Sequence, residues 1–336
     1  MHVTMKKVAQ NAGVSVSTVS IIVNGHQKER HIPQSTVDKV RKSMQQLGYK
    51  PNRNAQQLRS ARPTNLSIAL CFPLDPNTGL IEVLPALISY IQKEIVSKKL
   101  PWNLVIKPFQ NDKADQLIKT FKKGNYDAAL IAAASSKDIH DLENSDLLIP
   151  IVLLNRISDR LSTVGVDPQL IAQTAITLLQ AKHIKTISVV LDANNYSASN
   201  TRMEAIISRA KKVGIKVFAT YQSQYSNESG TKVAQQMIAK KDFHPVIAES
   251  DLTAIGMVYY FNHHNVQIPQ QLKLLTLSVL EQNFTAYQTP SISTISLSTS
   301  DIAKESIAII QKQLNNKNIP QHILLSPELH LRETFN

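Results

Sequence analysis

Cysteine is almost absent from this 336-residue chain, whose one thiol, Cys71, lies inside the apolar run 66–72. No disulfide can form within the chain, so a reducing, cytoplasmic setting is expected, and the thiol reads as a buried strand residue. Glycine is scarce as well. The nine glycines are all more than ten residues apart, so neither a dinucleotide-binding fingerprint nor a phosphate loop can be written. Long hydrophobic runs are missing too: no stretch approaches the ~18 apolar residues of a membrane span, and residues 1–7 lack the apolar centre of an export signal. No membrane partner is expected, and an exported binding protein is disfavoured. Neither Gly-x-Ser-x-Gly nor His-Glu-x-x-His occurs, and ten scattered histidines beside one cysteine give no zinc spacing. His263 and His264 adjoin but would face different ways on a helix. No cofactor and no metal are expected.

Acid is what the first part of the chain lacks. Residues 1–62 hold Glu29 and Asp38 against eleven Lys and Arg, a surplus of nine, whereas the whole chain carries +12. The remaining 274 residues add only three. A basic excess confined to one small segment points to nucleic acid or an anionic surface. That segment is also patterned. Thr4 is an N-cap candidate for a helix carrying Met5, Val8, Ala9 and Ala12, which Gly13 ends. Ser15 caps a second helix with Val19, Ile22 and Val23 inward, stopped by Asn24 and Gly25. A third helix over about 33–47 buries Val37, Val40, Met44 and Leu47 and exposes Lys39, Arg41 and Lys42. Two short helices around a glycine turn, closed by a third, make a helix-turn-helix.

The order Val8-Ala-Gln-Asn-Ala-Gly-Val-Ser15, Thr18-Val-Ser20, Val23-Asn-Gly25 and Leu47-Gly-Tyr-Lys-Pro-Asn52 resembles the lactose-repressor/galactose-repressor family of transcription regulators. The resemblance implies that the second helix enters the major groove of a double-stranded DNA operator. Val16, Ser17 and Ile21 then face bases, while Thr4, Ser15, Thr18, Ser20 and Asn24 meet the backbone. The family often has a basic residue where Ile21 stands. Valine and isoleucine can only touch thymine methyls, so A·T-weighted readout is expected there; Ile21 as a core residue is the alternative. Asn52-Arg53-Asn-Ala55-Gln-Gln-Leu58 matches the family's hinge helix, which implies minor-groove contacts from Asn52, Arg53 and Ala55 and an intercalating wedge at Leu58. Seven residues are too few for a stable helix alone, so it should order on DNA. Packing of Leu58 onto the core is the alternative. Lys28 and Arg30 either touch phosphate or are solvated.

From Pro63 onward, apolar runs at 66–72, 104–106, 128–133 and 149–154 alternate with amphipathic segments, and a second series follows at 163–166, 186–191, 215–219, 246–248 and 272–279. Such alternation gives α/β units on parallel sheets, and two series imply two lobes. The resemblance implies a two-lobed periplasmic-binding-protein-like core whose chain crosses between lobes three times, near Thr163, Ser291 and Pro320. The expected organisation is a headpiece (1–50), a hinge helix and linker (51–63), and a core for effector binding and dimerisation (64–336). Its first lobe takes about 64–162 and 292–319, its second about 163–291 and 320–336. Ligands of such folds sit at the carboxyl ends of strands. By resemblance, the effector contacts are Arg202 and Asp251, with Asn155 and Tyr225 as weaker carry-overs. Arg202 on a helix surface, and Asp251 as an N-cap, are the alternatives. Ala205 and the segment 278–281 depart from the family pattern. The expected function is a homodimeric repressor on a pseudo-palindromic operator, controlled by a sugar or sugar phosphate. A purine, no ligand, or an α/β enzyme with a DNA-targeting headpiece are the other readings. No leucine-heptad extension follows, so a dimer rather than a coiled-coil tetramer is expected.

Overall fold

The computed structural model describes residues 4–23, 27, 30–47, 65–74, 80–193, 198–278, 282–315 and 319–336. It divides into two compact units, 1–64 and 65–336.

Among the described residues the first unit holds three helices, α1 (Met5–Ala12), α2 (Val16–Val23) and α3 (Gln34–Leu47). Thr4 accepts from the Lys7 amide at 3.4 Å and caps α1, and Gly13 ends it at φ 65°. A methyl at Gly13 would meet nothing, so the glycine serves the left-handed backbone and not the packing. Val8, Ala9, Val19, Ile22, Val37 and Val40 form the core. Ser43 donates to the Val8 carbonyl at 3.2 Å and accepts from Asn11 at 3.0 Å, which pins α3 to α1.

The second unit carries two six-stranded sheets. In the first, the strands run β11 (His322–Leu325), β5 (Ser162–Val166), β4 (Ile151–Leu154), β3 (Ala128–Ala132), β1 (Leu66–Pro73), β2 (Trp102–Phe109) across the sheet. In the second they run β12 (Glu328–His330), β10 (Ser293–Ser296), β9 (Leu274–Ser278), β8 (Val246–Ala248), β6 (Thr186–Asp192), β7 (Lys216–Ser223). All pairs are parallel except β10 with β12. Helices α4 (Leu80–Ser97), α5 (Ala114–Lys122), α6 (Ser136–Glu143) and α12 (Thr299–Asn315) belong to the first lobe. The second lobe has α7 (Pro168–Ala181), α8 (Ala198–Lys212), α9 (Asn227–Ala239), α10 (Asp251–His263) and α11 (Gln282–Ala286). Among the described residues no helix is long and apolar enough to cross a membrane.

The crossings fall later than the sequence suggested. β5 lies in the first sheet, so the first crossing follows Val166 and not Thr163. β10 lies in the second, so the return follows Ser296 and not Ser291. β11 rejoins the first sheet, so the last crossing follows Leu325 and not Pro320. The first lobe is therefore 65–166 with 297–325, and the second 167–296 with 326–336. The reason is hydroxyl chemistry. Ser162 is buried in β5 and accepts from Gln313 at 2.9 Å and from the Gln321 amide at 3.2 Å. In β10, Ser293 donates to the Arg332 carbonyl at 3.0 Å, and its amide donates to Thr334 at 2.8 Å. Hydroxyls satisfied in this way let polar residues occupy buried strands.

Candidate DNA-reading helix and effector cleft

The start of α2 is built by hydroxyls. Ser15 accepts the Thr18 amide at 3.0 Å, and its oxygen lies 2.7 Å from Ser17 Oγ and 2.8 Å from Thr18 Oγ1. Val19 and Ile22 are buried in the three-helix core, with Val23 packed against it. Val16 is 46% exposed, Ser17 and Thr4 are exposed, and Thr18, Ser20 and Ile21 are half-buried. Ile21 is thus outside the headpiece core, and with Val16 and Ser17 it forms an uncharged outer face. Lys6, Lys7, Lys39, Arg41 and Lys42 are exposed on the flanking helices. Asn24, Asn52, Arg53, Ala55 and Leu58 lie outside the described residues.

The candidate effector residues stand in or beside the segments that follow strands of the two lobes. After β4, Asn155 takes φ 52°, its amide bonds the Val164 carbonyl at 2.8 Å, and its Oδ1 is buried without a hydrogen-bond partner. Gly165 gives it room, since a methyl there would lie 3.3 Å from Asn155 Cα. Arg156 follows, its Nε donating to the Ala134 carbonyl at 2.7 Å and its Nη1 to the Asn155 carbonyl at 2.9 Å. In the second lobe, Asn200 bonds both the amide and the carbonyl of Asp192, at 3.1 and 2.9 Å, and so ties the first turn of α8 to the end of β6. This anchors Arg202, which is 7% exposed. Ala205, in place of the family's glycine, packs into the second lobe's core.

Tyr225 follows β7 at φ 56°, and its amide bonds Ser223 Oγ at 3.2 Å. Ser223 in turn contacts Thr253 Oγ1 at 2.6 Å and accepts from Ser229 at 3.0 Å. Two glycines make this join possible. A methyl on Gly230 would strike the Thr253 carbonyl oxygen, and one on Gly256 the Asn227 carbonyl oxygen, so α9 and α10 touch backbone to backbone. Ser250, and not Asp251, is the N-cap of α10; Asp251 is the first helical residue and is 1% exposed. Glu249 is buried and accepts from Thr253 Oγ1 at 2.7 Å.

Charge connects these groups. Burial raises the Tyr225 phenol well above its usual value, and Asp251, Glu249 and Asp192 push it further while Arg202 opposes. Burial also lifts the Glu249 carboxyl to about 7 against the hydrogen bonds from Thr253 and Ser223. The Arg202 guanidinium is pushed down to about 10 by burial, and Arg156 likewise to about 10 by burial and by Arg202. Burial lowers Arg332, with Asp251 opposing. The fields thus join Asn155's neighbour Arg156 to Arg202, and Tyr225 to both Arg202 and Asp251. The sequence reading missed Arg156, Asp192, Glu249 and Arg332. For the first three the signal was adjacency, since Asp192 ends β6, Glu249 directly follows β8 and Arg156 lies two residues past β4; Arg332 lies two residues past β12, which no apolar run announces. Val279, Leu280 and Glu281 lie outside the described residues.

A helix-turn-helix unit followed by a core of two parallel-sheet lobes with a polar cleft defines a class, the DNA-binding regulators gated by a small ligand. Residues 4–52 match the model of bacterial regulatory proteins of the lacI family, and residues 179–335 match a periplasmic binding protein-like domain. The chain belongs to the lactose-repressor/galactose-repressor family and is a DNA-binding transcription regulator, not an enzyme. It is 26% identical over 340 residues to the ribose operon repressor of Lactococcus lactis, covering 99% of this chain and 98% of the relative. It is 24% identical over 341 residues to catabolite control protein A of Streptococcus mutans, covering 99% and 98%. Among solved structures, a LacI family transcription regulator from Clostridium acetobutylicum matches with a TM-score of 0.73 at 24% identity, over 80% of this chain and 99% of that one. The lac repressor dimer bound to operator and the anti-inducer ONPF matches with a TM-score of 0.72 at 19% identity, over 100% and 99%.

Proposed function

We propose that this regulator acts in the cytoplasm as a homodimeric repressor of a pseudo-palindromic operator, and that a sugar-like effector bound in the cleft sets its affinity for DNA. Arg202 carries the cleft reading. It is buried beside Tyr225 at the strand ends and makes no hydrogen bond or ion pair among the described residues. Burying an always-charged fork of five donors is costly unless a ligand completes it. Asp251 and Asn155 accept sugar hydroxyls on either side, and Tyr225 packs against the ring. That one relative is a ribose operon repressor supports the same ligand class.

On DNA, Val16, Ser17 and Ile21 face base edges, Thr4, Ser15, Thr18, Ser20 and Asn24 hold phosphates, Asn52, Arg53 and Ala55 lie along the minor groove, and Leu58 is the wedge. The effector can act only by binding one arrangement of the lobes better than the other, and operator affinity changes by the same coupling. Thermal-shift screening of sugars with the Arg202→Ala and Asp251→Ala variants, paired with operator titrations of Leu58→Ala, tests both halves. A confirmed ligand whose shift survives both cleft substitutions removes the cleft assignment. Operator affinity unchanged in Leu58→Ala removes the wedge.

A further inference from the structure

A cavity of about 170 Å³ lies in the first lobe, at the opposite end of its strands from the candidate effector residues. Asn155 and Arg156 follow β4, whereas this cavity is lined at the starts of β4 and β5, by the last turn of α6 and by the last turn of α12. Its apolar walls are Leu142, Ile149, Ile151 and Leu161, which belong to one hydrophobic cluster. Two polar side chains are buried in the same lining, Gln313 at 5% exposed and Ser162 at 2%. Each is only partly used. Gln313 Nε2 donates to Ser162 Oγ at 2.9 Å and to the Ile319 carbonyl at 2.8 Å. A carbonyl can only accept, so Ile319 fixes the amide nitrogen on its own side. Gln313 Oε1 is left buried with no hydrogen-bond partner among the described residues. Ser162 Oγ accepts from Gln313 and from the Gln321 amide at 3.2 Å, and its own proton meets no acceptor among the described residues. The charged groups at the cavity are engaged: Glu143 accepts from Ser158 at 2.5 Å, and Arg160 donates to Asn144 at 3.1 Å.

We propose that this cavity is a second ligand site, separate from the cleft, and that it takes a small uncharged cyclic amide. The ring N–H donates to Gln313 Oε1, the ring carbonyl accepts the Ser162 hydroxyl, and the remaining carbons lie against the leucine and isoleucine walls. A buried acceptor and a buried donor are costly to leave unmade, and these two sit side by side. The edge of a lactam carries the matching donor and acceptor on neighbouring atoms. A carboxylate offers Gln313 no proton, and an ammonium offers Ser162 no lone pair. Size sets the same limit, since an engineered apolar cavity of about 150 Å³ takes benzene. A volume of about 170 Å³ therefore suits one six-membered ring and excludes a disaccharide or a nucleotide. Gln313 links α12 to β5 and to the segment before β11, so a ligand seated on it stabilises the folded first lobe by mass action.

The test is thermal unfolding of the full chain, with dissociation constants from titration calorimetry, using δ-valerolactam as the probe against N-methyl-δ-valerolactam and cyclohexanol. The lactam should raise the midpoint saturably. Methylation removes the donor and should weaken binding roughly tenfold. Cyclohexanol, whose one hydroxyl must serve both partners, should bind more weakly than the lactam. Leu161→Phe fills the cavity and leaves the polar pair in place, so it should abolish the response in a chain that still folds. Gln313→Met keeps the length and removes the acceptor, and it should weaken the lactam roughly tenfold. Should the loss of its bonds to Ser162 and Ile319 unfold that variant, Leu161→Phe still decides the site and the methylated probe still decides the donor. Arg202→Ala, in the other lobe, should leave the response intact. No saturable response to the lactam overturns the inference and leaves the cavity to water. A response that survives Leu161→Phe, or one lost in Arg202→Ala, places the probe elsewhere and overturns the site. Equal binding of the methylated lactam or of cyclohexanol overturns the amide.

Discussion

Glu249 shows how much one side chain can encode at a strand end. Burial raises its carboxyl from an ordinary 4.5 to about 7, with Asp192 adding to the rise. A carboxyl raised on folding binds its proton more tightly in the native state. The stability this contributes is complete below the ordinary value and is lost as pH rises through the raised one. Glu249→Gln should therefore unfold like the parent near pH 5 and at a higher temperature at pH 8, as read by calorimetric midpoints across that range. An unchanged difference at the two pH values would remove Glu249 as the titrating group. Asp242, buried at another position of the same lobe, behaves in the opposite way. Burial works against its charge, but hydrogen bonds from Ser188, His244 and Tyr221 outweigh it and hold the carboxyl below the usual range. Its contribution is present at neutral pH and lost as pH falls. Asp242→Ala, which strands the buried hydroxyls of Ser188 and Tyr221 and the half-buried ring of His244, should cost about 2–4 kcal/mol at pH 7 by urea unfolding.

At the scale of elements, the pairing of α9 with α10 decides where the cleft residues stand. Each helix meets the other's backbone at a glycine, and carbonyl oxygens cannot step aside as side-chain tips do. Gly230→Ala or Gly256→Ala should cost about 1–3 kcal/mol or more and weaken any cleft ligand, because Tyr225 and Asp251 begin or precede these helices. Denaturant titration with ligand-binding measurements checks both effects. Elements with a strong period were legible in the chain: α1 to α3 from their caps and spacing, β1, β3 and β8 from apolar runs. The strand β5 was read at 163–166 but given to the second lobe, and β10, whose Ser293, Thr294 and Ser296 form no apolar run, was not read at all. Only the partners in the C-terminal segment, such as Gln313, Gln321, Arg332 and Thr334, make them strands, and no local window contains those partners. The cleft was half legible for the same reason. Arg202, Asp251, Asn155 and Tyr225 came from resemblance, whereas the influence of Arg202 on the Arg156 guanidinium exists only once two lobes are folded.

For the whole molecule, the concentration of +9 in the first 62 residues makes DNA binding an ionic process. Operator affinity should fall steeply and linearly on a log–log plot against salt, with a slope reporting several neutralised phosphates, and a flat plot would exclude the headpiece as the binding face. The interleaved core has a consequence for how the chain is made. The helix α12 packs on α4, joining Ile302, Ile307 and Ile310 to Leu87, Ile91 and Ile95. These partners are separated by residues 167–296, the larger part of the second lobe. During synthesis the first lobe has no route to completion until the second has emerged. The nascent chain must carry the apolar face of α4 uncovered for most of its elongation. A chain ended at Ser298 should therefore collect in the pellet or on chaperones while the full chain stays in solution, and the time this regulator spends exposed to aggregation is set by ribosome speed over roughly two hundred codons.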